Sequence, residues 1–223
     1  MSTAEFLDDI RKPGAQVLSI FLFLILSYAS LVFLFGANIE DMYLGLRIFL
    51  IVQIIIIIIS VIQFKDFFKY ENIDNKFKVK KYAKFLTTVN ILSTYNAIFM
   101  FHNIFYVLAL QSKYNLENFW LVTTSIVLLF CILDLISNMF ILIDVPFIEK
   151  FIDNKLIAKL GIIFKALAQL IFVEKIIEYF MLPYYLDNKF TIIASILIIL
   201  SANVVAFLYM KKYADFKAII IED

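Results

Sequence analysis

Long apolar runs alternate with short polar segments along the whole chain. Six runs reach or approach the roughly 20 residues that a helix needs to cross about 30 Å of hydrocarbon. Backbone amides inside a bilayer must bond within their own segment, so each run is predicted to be an α-helix. The isoleucine run Ile54 to Ile59 does not change this, because length and continuity decide over β-branching. The predicted spans are approximately 15–35, 43–64, 86–110, 119–143, 156–182 and 190–210.

Composition supports a membrane environment. Hydrophobic residues make up 63% of the 223-residue chain and the mean hydropathy is +0.92, whereas soluble domains are about 45–50% apolar. The net charge of +1 gives no general attraction to nucleic acid, so no nucleic-acid partner is expected. We predict an all-α membrane protein, a polytopic bundle of about six transmembrane helices forming one domain over residues 1–223, with membrane lipids as direct partners.

Lysines fall on alternate sides of the predicted spans, which predicts the orientation. Segment 65–84 holds seven lysines, loop 148–159 holds three, and the tail begins with Lys211 and Lys212. The opposite loops are acidic at 38–41 and hold one lysine each at 111–118 and 183–189. Six spans with both termini cytoplasmic fit this pattern, in the cell inner (plasma) membrane or an organellar membrane. The alternative has five spans, with the fifth segment lying in the interface.

Both ends are predicted to be helical. Ser2 and Glu5 have capping-box spacing, and Phe6, Leu7 and Ile10 share one helix face, which is typical of an interfacial helix. The tail 210–223 ends in three isoleucines and is expected to dock on the membrane or on a partner.

Aromatic residues alternate with lysines in segment 65–84. One interpretation is that this segment contacts a cytoplasmic protein or anionic lipid. The other is an ordinary positive loop with aromatic anchors at the interface. The candidate contact residues are Lys76, Lys78, Lys80 and Lys81.

Ionisable residues inside the spans need an explanation, because each costs roughly 2.5–3.5 kcal/mol on insertion scales. Asp134 in the fourth span and Lys165 in the fifth each lie roughly 5 Å to the cytoplasmic side of the midpoint, at about 1.5 Å per residue. Consecutive spans are antiparallel, so we expect these two side chains to pair. Asn138 and Gln169 complete the predicted inner polar cluster of Asp134, Lys165, Asn138 and Gln169.

A second polar pair is predicted nearer the outer surface, between His102 and Glu174. Lys175 and Arg47 are expected to extend their charged ends toward water. The third span carries a polar stripe, which predicts that this helix faces the bundle interior or a water-filled path. The stripe consists of Asn90, Ser93, Asn96 and Asn103.

Sequence motifs of enzymes are missing. There is no phosphate-binding loop, GxSxG or HExxH motif, and Cys131 and His102 are the single residues of their types. Catalysis, a cofactor and a metal site are therefore not expected. All three prolines lie at predicted span ends, which predicts continuous helices and lowers the expectation of a broken-helix transporter.

These observations leave two functional interpretations. The first is a channel- or permease-like subunit that moves an ion or small solute, working as a homo-oligomer or with another subunit. The second is a non-transporting membrane sensor or anchor that recruits a cytoplasmic protein partner to a larger complex, for example a bacterial defence or signalling assembly. In either case the intramembrane polar groups could instead only stabilise the bundle.

Overall fold

The computed structural model describes residues 3–34, 38–65, 76–110, 115–143, 152–183 and 189–222, and regular structure in these ranges is helical. Six helical stretches are long and apolar enough to cross a membrane, which supports a multi-pass membrane protein. The described elements are α1 (Thr3–Arg11), α2 (Gly14–Leu34), a 3₁₀ turn (Ile39–Asp41), α3 (Leu44–Ile62), α4 (Lys76–Ala109), α5 (Glu117–Leu142), α6 (Asn154–Ala168), α7 (Leu170–Met181) and α8 (Phe190–Glu222).

The third span is the central helix of the bundle. Its most apolar stretch is 83% buried inside the protein, whereas the other five are 22–39% buried. The predicted stripe of Asn90, Ser93, Asn96 and Asn103 is buried at 3% exposure or less. The prediction that this helix faces the interior is therefore confirmed. The outward faces of the surrounding helices carry exposed Leu, Ile, Val and Phe, as expected of surfaces that meet lipid.

Helix α4 begins at Lys76, earlier than the predicted start of its span at 86. The lysine-rich stretch was therefore wrongly predicted to be a loop over residues 76–84, and residues 66–75 lie outside the described residues. The helix extends because Val79, Ala83 and Leu86 recur at helical spacing and are buried. The lysines between them stay on the exposed side.

The fifth span is interrupted, contrary to the predicted continuity. Helices α6 and α7 are separated by Gln169, whose N–H lies 3.3 Å from the Lys165 carbonyl and 3.2 Å from the Ala166 carbonyl. The next bond, from Phe172 N–H to the Gln169 carbonyl at 3.1 Å, spans three residues and tightens the turn. Together α6 and α7 remain long enough to cross the membrane.

Among the contacts of α3 with the core is a chain of side-chain hydrogen bonds through the Asn103 amide. Asn103 Nδ2 donates to Gln53 Oε1 at 3.2 Å, and Trp120 Nε1 donates to Asn103 Oδ1 at 2.9 Å. Gly45 allows the close approach, because a Cβ there would lie 2.7 Å from the Trp120 ring. These contacts connect α3, α4 and α5.

The two ends of the chain pack together beside the start of α4. Leu7 and Ile10 of α1, Val79 and Ala83 of α4, and Phe216 of α8 form one buried cluster, which we call the terminal cap. The apolar face of α1 is thus covered by protein, and its position at the membrane interface stays a prediction.

Polar contacts tie the terminal cap to the bundle. Asn90 Nδ2 donates to the Ile10 carbonyl at 2.9 Å, and Lys212 Nζ lies 2.8 Å from Asp9 Oδ2. Ser2, on which the predicted capping box depends, and the side chains of residues 219–221 lie outside what the structure describes.

Candidate functional site

The inner polar cluster centres on a buried carboxylate. Asp134 on α5 is 1% exposed, and Lys165 Nζ lies 2.5 Å from its Oδ1. Tyr95 donates its hydroxyl to Oδ2 at 2.7 Å, and Asn138 Nδ2 donates to the same oxygen at 3.0 Å. The Lys165 ammonium also donates to Asn138 Oδ1 at 2.9 Å. Both charges are therefore paired, which is the condition for retaining them in a low-dielectric interior.

A glycine brings α5 and α6 close enough for this pairing. A Cβ at Gly161 would lie 2.9 Å from Ile141 Cγ1 and 3.1 Å from Phe140 Cβ. Small residues let membrane helices approach closely, and Gly161 lies four residues before Lys165, on the same helix face. The close contact therefore holds the Lys165 amine within reach of α5.

Gln169 does not join the other three members of the predicted inner cluster. It lies at the junction of α6 and α7 and lines a cavity of about 530 Å³ together with Lys165 and Asn203. The Lys165 side chain is 28% exposed, and its Nζ lies 5.9 Å from the centre of the Phe207 ring. Lys165, Gln169 and Asn203 thus place polar groups on the outward-facing surface between α6 and α8, within the membrane-spanning segments.

The outer cluster centres on a buried lysine. Lys175 on α7 is 1% exposed, which contradicts the prediction that its charged end extends toward water. Its Nζ lies 2.5 Å from Glu178 Oε2 and 2.8 Å from His102 Nδ1. Tyr106 donates its hydroxyl to Glu178 Oε1 at 2.5 Å, and Thr124 Oγ1 lies 3.0 Å from His102 Nε2. The cluster therefore joins α4, α5 and α7.

The hydrogen bonds determine the protonation state and the tautomer of His102. An ammonium can only donate, so His102 Nδ1 accepts from Lys175 and the ring is neutral. The proton then lies on Nε2, which donates to the Thr124 hydroxyl. His102 thus acts as a polar link between Lys175 and Thr124.

The predicted pair of His102 and Glu174 is present in the same cluster but not as a direct contact. Lys175 lies between them, with its Nζ 3.2 Å from Glu174 Oε2. The carboxylate nearest to His102 in the described residues belongs to Glu178, at 3.8 Å. Glu174 and Glu178 carry two negative charges against one positive charge on Lys175. The outer cluster therefore has one unmatched negative charge when both carboxylates are ionised.

An apolar layer separates the two clusters. Phe99 lies between Tyr95 and His102 on α4, and Ile171 lies between Lys165 and Lys175. Phe99 and Ile171 belong to one buried hydrophobic cluster together with Val127 and Cys131 of α5. Within the described residues, no group of three His, Cys, Asp or Glu side chains is arranged to hold a metal ion.

The predicted contact lysines lie at the start of α4. Lys78, Lys80 and Lys81 are exposed, and the side chain of Lys76 lies outside the described residues. They are near the terminal cap and remote in sequence from both intramembrane clusters. The anchor Arg47 donates to the carbonyls of Met42 and Glu40, at 3.0 and 3.3 Å.

Sequence reasoning missed the two tyrosines that bind the carboxylates. Tyr95, His102 and Tyr106 follow one another at intervals of seven and four residues, so they share one face of α4. That spacing is a usable signal in the sequence. Glu178 is not part of the predicted outer pair, because nothing in the sequence says which helices are neighbours.

The chain belongs to the family described as a domain of unknown function, DUF5079, whose model matches residues 4–223. No curated protein and no solved structure matches the chain significantly. The family therefore assigns neither an activity nor a partner, and the functional argument depends on the polar clusters.

Proposed function

We propose that this chain is a channel- or permease-like membrane subunit that moves a cation along the interface of α4, α5 and α7. The first candidate for this cation is the proton. The observation that carries the proposal is the outer cluster, in which Glu174, Lys175 and Glu178 are each at most 8% exposed. Each charge costs roughly 2.5–3.5 kcal/mol to place in a bilayer. One carboxylate would balance the charge of Lys175, whereas this cluster contains an additional carboxylate on the same helix.

The groups of the outer cluster are suited to passing a proton. Glu178 accepts from Tyr106 and Lys175, and His102 links Lys175 to Thr124, so neighbouring donors and acceptors are in contact. Asp134 and Lys165 supply a second ionisable pair in the inner half. The apolar layer between the clusters would act as the barrier, since hydrophobic constrictions gate by excluding water.

Proton flux into proteoliposomes tests this proposal. Vesicles with an internal pH dye are given a potassium-diffusion potential, and the wild-type protein is expected to take up protons. Glu178→Gln should slow uptake by about 100-fold, because it removes the central proton acceptor. Glu117→Gln, which neutralises an exposed carboxylate at the start of α5, is the matched control. Wild-type vesicles as tight as protein-free vesicles would contradict the proposal.

The orientation proposed for this function has both termini and the terminal cap in the cytoplasm, in the cell inner (plasma) membrane or an organellar equivalent. The lysine-rich segments at 65–84, 148–159 and 211–212 support this orientation. The packing of α1 against the start of α4 and the end of α8 supports one common side for these three ends.

We also propose that a second copy or another subunit covers the wall between α6 and α8. Lys165, Gln169 and Asn203 line the cavity there, at span depth. Polar side chains at helix contacts in lipid are normally covered by protein. Size-exclusion chromatography with light scattering, comparing wild type with Asn203→Leu, measures whether an oligomer forms and depends on this wall.

A second candidate function is a sensor or anchor that recruits a cytoplasmic partner. The observation that favours it is the terminal cap, because a bundle that only spans the bilayer does not require three helix ends packed together. Exposed Lys78, Lys80 and Lys81 lie beside this cap. Their replacement by alanine should abolish crosslinking to a cytoplasmic protein while flux stays unchanged. Lys155→Ala, on another element, is the control.

A further inference from the structure

A cavity of about 720 Å³ lies against the outer cluster, between α5 and α7. Its volume falls within the range of small-molecule sites, about 300–1,000 Å³. Such sites are typically apolar with a few polar groups that orient the ligand. The apolar wall includes Phe119, Val122, Ile126, Phe130, Val173 and Ile177. The titratable groups of the wall are Glu174 and Glu178.

Glu174 has no hydrogen-bond partner of its own in the described part of the chain. Its side chain is 9% exposed, and neither carboxylate oxygen receives a hydrogen bond. Lys175 Nζ lies 3.2 Å from Oε2, an ion-pair distance without hydrogen-bond geometry. The same ammonium is closer to Glu178 and His102, at 2.5 and 2.8 Å. A buried carboxylate in this state is costly unless something else neutralises it.

The cavity is open on its lipid side. Val122 on α5 is 56% exposed and Val173 on α7 is 48% exposed, and both line the cavity. A ligand can therefore enter from the bilayer between α5 and α7, with an apolar body that passes these side chains.

We propose that this cavity binds a lipophilic monocation, an amine or onium ion with a hydrocarbon body, whose charge lies beside Glu174. When both carboxylates are ionised, the unmatched negative charge of the outer cluster selects a single positive charge, and the apolar wall accommodates the hydrocarbon. A lipid acyl chain would fill the same wall but would bring no positive charge to Glu174. The inference rests on the proposed cation transport, because it names the substrate class of the same cluster.

Binding of tetraphenylphosphonium tests this inference. The purified full chain in nanodiscs is dialysed against radiolabelled tetraphenylphosphonium, and tetraphenylborate, of similar size and opposite charge, is the control ligand. We expect saturable, one-to-one binding of the cation only. Glu174→Gln should raise the Kd about 10-fold or more, because it removes the charge that faces the ligand. Glu117→Gln should leave the Kd unchanged.

A variant that leaves the charges intact provides an independent check. Val173→Trp fills the cavity from its lipid-facing rim, where the larger side chain costs little packing. It should also weaken binding of tetraphenylphosphonium, while the melting temperature stays that of wild type. If Glu174→Gln does not fold, the Val173→Trp result alone decides, and unchanged binding in it overturns the inference.

The outcomes separate this inference from the proposed function. Non-saturable uptake of tetraphenylphosphonium that Glu174→Gln leaves unchanged would mean partition into lipid and would overturn the inference, even if proton flux were measured. Saturable cation binding that depends on Glu174, without any flux, would support the site and overturn the transport proposal. Both results together support substrate binding and transport by one cluster.

Discussion

Lys175 and Glu178 form an ion pair one turn apart on α7, with Nζ 2.5 Å from Oε2 and both side chains 1% exposed. Their other partners, His102 for Lys175 and Tyr106 for Glu178, lie on α4. The two opposite charges lie in contact, and Glu174 lies beside them, 3.2 Å from the Lys175 ammonium. The stability of the bundle and the proposed transport therefore depend on the same residues, and variants can separate the two roles.

Removing the central cation should destabilise the protein strongly. Lys175→Met leaves Glu174 and Glu178 buried without a counter-charge, so we expect a loss of about 3–5 kcal/mol in the free energy of unfolding. The double variant Lys175→Met/Glu178→Gln should recover at least about 1 kcal/mol of that loss. Unfolding by SDS in mixed micelles, followed by circular dichroism, measures both. Strictly additive effects would show that the pair is not coupled.

The two single substitutions in the inner pair, Lys165→Met and Asp134→Asn, should destabilise the protein to different extents. Lys165→Met leaves the Asp134 carboxylate, 1% exposed, with only Tyr95 and Asn138 as donors. Asp134→Asn leaves Lys165, which is 28% exposed and keeps Asn138 Oδ1 as an acceptor. We expect Lys165→Met to lower the free energy of unfolding by about 1–2 kcal/mol, and Asp134→Asn to lower it by less. The double variant Asp134→Asn/Lys165→Met should be more stable than Lys165→Met. Harmless single changes would mean that the pair contributes no stability.

Widening the α5–α6 contact should weaken the inner pair indirectly. Gly161→Leu places a side chain where even a Cβ would lie 2.9 Å from Ile141, so we expect a loss of about 1–3 kcal/mol. Ala158→Leu, on the exposed side of the same helix, is the matched control. Thermal unfolding in detergent measures both variants. Equal melting temperatures for the two would contradict the close contact.

Cysteine labelling tests the orientation, and the single native cysteine makes it simple. In a Cys131→Ala background, a membrane-impermeant maleimide should label Glu40→Cys in intact cells. Lys155→Cys and Asp215→Cys should be labelled only after permeabilisation, because they lie on the proposed cytoplasmic side. Labelling of positions 40 and 155 from the same side would refute six crossings.

Much of this architecture could be predicted from the sequence. The lengths of the apolar runs identify the six helices. Asp134 and Lys165 lie at similar depth on consecutive spans, which places them together. Their contribution to function stays a prediction.

The outer cluster was harder to predict, because its partners lie on helices that are not consecutive. Tyr106 and Glu178 are 72 residues apart, and only the fold of the whole bundle brings their side chains on α4 and α7 into contact. The charged end of Lys175 was expected to extend toward water. A lysine in the outer half of a span can do this when its face of the helix meets lipid. The interruption at Gln169 also has no sequence signal, since neither proline nor glycine occurs there.

The central claim is that the buried charges carry a cation and do not merely join helices. The most direct measurement is the current across a planar bilayer that contains the purified protein, under a tenfold proton gradient. We expect a current that reverses near the proton equilibrium potential, about 59 mV. Glu178→Gln should remove this current, whereas Glu117→Gln should leave it unchanged. A bilayer that stays silent with wild-type protein, or a current that Glu178→Gln leaves unchanged, would contradict the claim.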